Sequence, residues 1–135
     1  MASDERQSEP LNRPPRVLVV EDDPESALSL TELLGCLGLE SAVARNGEEA
    51  LWKACEFLPD VVLLDLGLPV RDGYEVARIL RQNPNSSTAL IIAVTGQPED
   101  GERAYQMGID IHLAKPVDAG ILMSILLDYQ RELSG

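Results

Sequence analysis

The apolar run Val61-Val62-Leu63-Leu64 stops abruptly at a carboxylate, Asp65, and is followed by Leu66-Gly67-Leu68-Pro69-Val70-Arg71-Asp72-Gly73. Four β-branched or leucine residues in a row read as a strand buried on both faces, and the glycine- and proline-bearing stretch after them is turn chemistry. An aspartate at that junction stands at the carboxyl end of a strand, where open α/β sheets gather their ligands. A loop-capping aspartate produces the same local pattern, so the reading depends on what the other strands bring.

Three more strands end in polar groups. Arg16-Val17-Leu18-Val19-Val20 runs into Glu21-Asp22-Asp23, Ala89-Leu90-Ile91-Ile92-Ala93-Val94 into Thr95-Gly96, and Ile111-His112-Leu113-Ala114 into Lys115-Pro116. A weaker alternation from Glu40 to Arg45 supplies a fifth strand.

Helical patterns lie between them. Asp23 before Pro24 and Glu25 is a helix start, carrying Ala27, Leu28, Leu30, Thr31, Leu34 and Leu37 up to a left-handed stop at Gly38. Asn46-Gly47-Glu48-Glu49 opens a second helix, with Ala50, Leu51, Ala54 and Leu58 ahead of Pro59. Tyr74 to Leu80 is a third, and Pro98 begins a short fourth to about Met107, weakened by Gly101. Asp118 caps a last helix through Ile121, Leu122, Ile125, Leu126 and Tyr129 to about Leu133.

Strands alternating with helices require a parallel sheet with right-handed crossovers. No G-x-G-x-x-G or GK[ST] follows the first strand, which removes the dinucleotide fingerprint and the phosphate-binding P-loop. The expected fold is α/β, a doubly wound five-stranded parallel sheet of flavodoxin-like order 2-1-3-4-5.

Composition narrows the function. The 135 residues fit one domain, expected over 16–133 behind a flexible, proline-rich leader at 1–15. A net charge of -12 opposes direct attraction to nucleic acid or anionic lipid. No apolar run approaches the roughly 20 residues of a membrane span, and the start lacks signal-peptide character, so a cytoplasmic protein is expected. Cys36 and Cys55 form no C-x-x-C pair, and the single histidine, His112, completes no zinc spacing. Both cysteines fall on apolar helical positions and are expected to be reduced core thiols. Trp52 reads as a partly covered helix residue without the basic or aromatic neighbours of a base-stacking platform.

In the expected topology, one rim collects Glu21, Asp22, Asp65, Thr95 and Lys115. Clustered carboxylates repel and raise one another's pKa unless a cation is present, and Mg²⁺ takes one or two carboxylates plus phosphate oxygens. An aspartate can attack phosphorus to give an aspartyl phosphate, and a threonine hydroxyl and a lysine suit the charge that develops on the transferred oxygens.

Four segments carry a resemblance: Val-Val-Glu-Asp-Asp-Pro from Val19, Leu-Leu-Asp-Leu-Gly-Leu-Pro-Val-Arg-Asp-Gly-Tyr-Glu from Leu63, Ala-Val-Thr-Gly from Ala93 and Ala-Lys-Pro from Ala114. Together they resemble the receiver domain of two-component response regulators, over about residues 16 to 133. The stretches Thr95 to Asp100 and His112 to Asp118 are similar to receivers that belong to, or work with, hybrid histidine kinases.

The resemblance implies Asp65 as phosphoacceptor, and Glu21, Asp22, Asp65 and the Gly67 carbonyl as the Mg²⁺ site. It also implies Thr95 and Lys115 as phosphoryl contacts. It implies a stand-alone switch, not a turnover enzyme, that promotes its own phosphorylation and dephosphorylation. Partners would be a histidine kinase or histidine phosphotransfer protein and a downstream protein, with a homodimer open.

Two positions depart from the family. The family's second switch position, commonly aromatic, is His112 here, either a switch able to titrate near neutral pH or a surface residue of an edge strand. Thr95 and Lys115 are 20 residues apart, so the loop before the fourth helix is expected to be shortened. Gly67 and Gln97 are the residues expected to tune hydrolysis, the first by leaving room for water and the second by orienting it.

Two rival readings share part of this pattern. A phosphohydrolase with an aspartyl intermediate needs a second acid beside its nucleophile, and Leu66-Gly67 supplies none. A docking module that has lost the chemistry is opposed by the intact acids, threonine and lysine.

Overall fold

The computed structural model describes residues 13–67, 73–96 and 107–134. In chain order the elements are β1 (Val17–Val20), α1 (Pro24–Cys36), β2 (Ser41–Ala44), α2 (Gly47–Phe57) and β3 (Val61–Asp65). They continue with α3 (Gly73–Gln82), β4 (Leu90–Thr95), β5 (Ile111–Ala114) and α4 (Ala119–Ser134). Nearly all of the leader, the turn 68–72, Gln97 and the expected fourth helix fall outside the described residues.

The strands form one parallel sheet in the order β2-β1-β3-β4-β5, as the alternation of elements requires. β1 and β3 are buried along their whole length because helices cover both faces. Strand periodicity splits their side chains between two cores. Leu18, Val20, Val62, Leu64, Ile91 and Ala93 pack with α2 and α3, whereas Val17, Val19, Val61, Leu63 and Ile92 pack with Leu34 of α1 and Leu122 and Leu126 of α4.

Helix starts follow the capping residues. The Asp23 carboxylate accepts from Ser26 N at 3.1 Å, Asn46 Oδ1 from Glu49 N at 2.9 Å and Asp118 Oδ1 from Ile121 N at 2.9 Å. Gly38 takes φ 78° just past α1, the left-handed conformation expected of it. Leu58 adopts φ 51° at the C-cap of α2.

Three expectations are corrected. Cys36 and Cys55 are both exposed. The buried stripe of α2 is Gly47, Ala50 and Ala54, and Cys55 lies one residue, about 100°, beyond it. Cys36 ends α1, whose fully buried residues are Ala27 and Leu34. Leu28 and Trp52 are exposed rather than covered, again because they stand off these stripes. Finally, α3 begins at Gly73, which the turn pattern had absorbed.

Arg81 joins three segments at the amino-terminal edge of the sheet. Its Nη1 donates to the carbonyls of Ser87 and Ala89 at 2.9 and 2.6 Å, and its Nη2 to Gly108 O at 2.6 Å and Asp110 Oδ2 at 2.7 Å. Asp110 in turn accepts from Ile91 N at 2.8 Å, so the entrances to β4 and β5 are tied to the end of α3. Arg81→Ala is expected to destabilise the fold by roughly 2–4 kcal/mol, because half-buried carbonyls and Asp110 lose a charged donor together. Urea unfolding checks this; a change below about 0.5 kcal/mol would mean water replaces the guanidinium without loss.

At the amino end, Asp60 accepts from Arg13 Nη1 and Arg16 N, each at 2.8 Å, which fixes the chain as it enters β1.

Candidate functional site

The polar ends of β1, β3, β4 and β5 meet on one rim, because parallel strands all point the same way. Carboxylate oxygens of Glu21, Asp22 and Asp65 lie within 4.8 Å of one another, with Glu21 and Asp65 buried and Asp22 exposed. Lys115 Nζ sits 3.2 Å from Asp65 Oδ2 and 3.8 Å from Glu21 Oε1. The other Asp65 oxygen, Oδ1, accepts from Gly67 N at 2.9 Å. The Asp23 N–H donates to Glu21 Oε2 at 3.2 Å, a contact the sequence gave no sign of, since Asp23 reads as a cap alone.

Thr95 is the last residue of β4, one beyond the Val94 that is registered with Asp65. Its carbonyl accepts from Lys115 N at 2.8 Å, so the threonine and lysine strand ends are bonded together. The Lys115–Pro116 peptide is cis. His112 lies within β5, half-buried and registered with Ala93, on the face that carries the α2 and α3 core. Gln97 is outside the described residues, and Gly67 is exposed beside Asp65.

The two buried acids titrate differently. Burial pushes Glu21 up to about 7, helped by its hydrogen bond and repulsion with Asp65 and opposed by the Asp23 N–H and by Lys115. Burial also works to raise Asp65, but its bonds with Glu21, the Gly67 N–H and Lys115 outweigh burial and hold it below its ordinary value. Near neutral pH the pair therefore favours charge on Asp65 and a proton on Glu21, so a buried ionised carboxylate stands beside a buried acid. A buried acid that retains a proton this far above its ordinary range marks a place where a cation would be stabilised, and an all-oxygen carboxylate set suits a hard divalent ion.

The rim opens into a groove of about 620 Å³ that runs from Glu21 and Lys115 along α1, past Ser26, Leu30 and Leu33, to Pro116 and Val117. A smaller crevice of about 310 Å³ beside Arg81 and Tyr129 lies at the opposite end of the strands, away from the acids.

The profile of the response regulator receiver domain matches residues 17–127. The chain belongs to this family. As a receiver, it is 38% identical over 102 residues to the transcriptional regulatory protein PrrA of Mycobacterium tuberculosis, covering 76% of this chain and 44% of that protein. The chain thus spans less than half the length of such curated relatives. Its likeness to the polar-differentiation response regulator DivK of Brucella anthropi is 32% over 118 residues and covers 86% of this chain and 96% of DivK.

Among solved structures, it is similar to the receiver domain of a sensor histidine kinase from Pseudomonas aeruginosa, which carries a magnesium ion coordinated in its active-site cleft. That match has a TM-score of 0.77 at 32% identity, over 87% of this chain and 98% of the other. A receiver is a phosphoacceptor switch that works with histidine kinases or phosphotransfer proteins and with downstream partners. Among the described residues, no helix is long and apolar enough to cross a membrane.

Proposed function

We propose that this receiver is a phosphorylation switch that takes a phosphoryl group onto Asp65 from a histidine kinase or histidine phosphotransfer protein. The observation that carries the reading is the Asp65 carboxylate held between Lys115 Nζ and the Gly67 N–H, with Glu21 and Asp22 alongside. Glu21, Asp22, Asp65 and the Gly67 carbonyl would hold Mg²⁺. When bound, the ion neutralises charge on the phosphoryl oxygens.

In the transfer, an Asp65 oxygen forms a bond to phosphorus as the donor's N–P bond breaks, and that electron pair stays on the imidazole nitrogen. Lys115 offsets charge on the phosphoryl oxygens, and the Thr95 hydroxyl donates to them. In hydrolysis, water attacks phosphorus, the Asp65 O–P bond breaks, and carboxylate and inorganic phosphate are released. The groove along α1 gives a donor helix an approach to Asp65. When Thr95 moves toward the phosphate, its bond to Lys115 N carries the displacement into β5, where His112 is the candidate second switch residue.

The contacts this chain itself makes are with protein, since a net charge of -12 disfavours nucleic acid. α4 exposes Ile121 on one side of its buried Leu122 and Leu126 and Met123 with Leu127 on the other, apolar positions for a downstream protein or a second copy of the chain.

The test is intact-protein mass after incubation with acetyl phosphate, with and without Mg²⁺. A gain of one phosphoryl group that needs Mg²⁺ supports the switch. No gain in folded protein rejects it in favour of a docking module, and rapid phosphate release favours a hydrolase. Gln97→Ala is expected to change the lifetime of the phosphorylated protein more than its rate of formation, followed by the decay of that mass. Equal lifetimes would remove Gln97 from hydrolysis.

A further inference from the structure

β2 is an edge of the sheet and pairs with β1 alone. The carbonyls of Glu40 and Ala44 accept from Val17 N and Glu21 N. The two-residue alternation of a strand therefore turns the backbone N–H and C=O of Ser41 and Val43 away from β1. Among the described residues nothing bonds to these outward groups. The next outward N–H, that of Arg45, is closed off by Glu49 Oε1 at 3.1 Å. What stays open is a short stretch of edge with a defined end.

We propose that the open edge of β2 is a self-association surface, on which a second copy of this chain adds its own β2 antiparallel across a two-fold axis through Ala42. That register sets Ser41 of each chain opposite Val43 of the other. Opposed outward residues exchange both of their N–H···O bonds, so every free group on the edge is used and none is left over. Ala42 meets its own copy at the axis, a non-hydrogen-bonded pair where side chains stand closest and a methyl group fits. Glu40 falls opposite Ala44 and Arg45 opposite Leu39, so no like charges face each other across the pair.

The flanking helices fit the same axis. α1 and α2 both pack on β1 and β2, from opposite faces. Edge pairing brings each helix to about 10 Å, two strand spacings, from its copy, which is the separation of packed helices. On α1, Ser26, Ser29 and Leu33 face the rim groove. Leu28 lies on the other flank, toward β2, and is 58% exposed. Thr31, one turn on, already donates its hydroxyl to Leu28 O at 3.0 Å, so covering it strands no donor. On α2, Cys55 faces the loop after α3, which puts Glu49 and Lys53 on the flank toward β2. Ala42 is about 7 Å from the end of its strand, or four to five helical residues, so Leu28 and the interval from Glu49 to Lys53 lie level with the axis. There Leu28 covers its own copy. Glu49 keeps its Arg45 pair at 3.8 Å and also meets Lys53 of the other chain, a contact of opposite charges. The inference stands apart from the phosphoryl chemistry, and its test needs no phosphodonor.

The test is sedimentation velocity of the full chain at rising concentration, with amide hydrogen exchange read by NMR at the two ends of the series. The expected result is a monomer–dimer equilibrium in which the Ser41 and Val43 amides exchange at least about tenfold more slowly at the dimer end. Val43→Pro removes an outward N–H that β1 does not use and should weaken association at least about tenfold. Leu28→Arg, at an exposed position, should do the same and keeps the test decisive if the proline variant does not fold. Leu127→Arg on α4, the other exposed apolar surface, should change association less than about twofold. A chain that stays monomeric up to about 1 mM overturns the proposal. So does a dimer whose Ser41 and Val43 amides are unprotected, or one that Leu127→Arg abolishes and Leu28→Arg leaves intact.

Discussion

Asp65→Asn is expected to abolish phosphorylation by acetyl phosphate, a loss of roughly a thousandfold or more, on the scale of removing a nucleophile. Asparagine keeps the shape of the side chain but supplies no anionic oxygen to attack phosphorus. The same change should leave the protein as stable as before or raise its melting temperature. Asp65 is buried against Glu21, and burial beside it pushes Glu21 up to about 7. Asparagine removes the repulsion from Asp65 that adds to burial in raising Glu21 and keeps an oxygen for the Gly67 N–H, while the ion pair lost from Lys115 involves a side chain 40% exposed and is worth little. Thermal unfolding beside the phosphorylation assay separates the cases. A variant that neither melts lower nor accepts phosphate has lost chemistry, and one that melts well below wild type would show that Asp65 holds the fold.

Gly73→Ala is expected to damage fold and site together. A Cβ at Gly73 would lie 2.6 Å from Leu66 Cα and 3.0 Å from the Asp65 carbonyl oxygen, backbone atoms with no rotamer to yield. Either α3 or the Asp65-Leu66 backbone must move, at a cost of roughly 1–3 kcal/mol or more. Because Leu66 N donates to Val94 O and Gly67 N to Asp65 Oδ1, that movement also disturbs the carboxylate's orientation. The expected outcome is a lower urea midpoint together with at least about tenfold slower phosphorylation. Wild-type stability and rate would mean the junction relaxes freely.

The sheet order was legible because each rule involved is local or topological. Apolar runs mark β1, β3 and β4, and asparagine or aspartate marks the starts of α1, α2 and α4. Once the order is set, Glu21, Asp22, Asp65 and Lys115 must share a rim, and the structure brings them together with Thr95 at the adjoining strand end.

What escaped depends on angle and on distant partners. Cys55 is apolar by type, yet one step around the helix from buried Ala54 carries it to the surface. The bonds of Arg81 escaped because its acceptors lie 6 to 29 residues away in the chain. Gly73 looked like turn chemistry because nothing in the sequence states how closely α3 approaches Leu66.

The most direct test of the central claim is to trap the acyl phosphate where it forms. Borohydride reduces an aspartyl phosphate to homoserine, so the chain would be incubated with acetyl phosphate and Mg²⁺, reduced, digested and sequenced by mass spectrometry. The account predicts homoserine at position 65 and at no other carboxylate, and only when Mg²⁺ is present. Homoserine at Glu21, Asp22 or elsewhere, or at position 65 without regard to Mg²⁺, would contradict it.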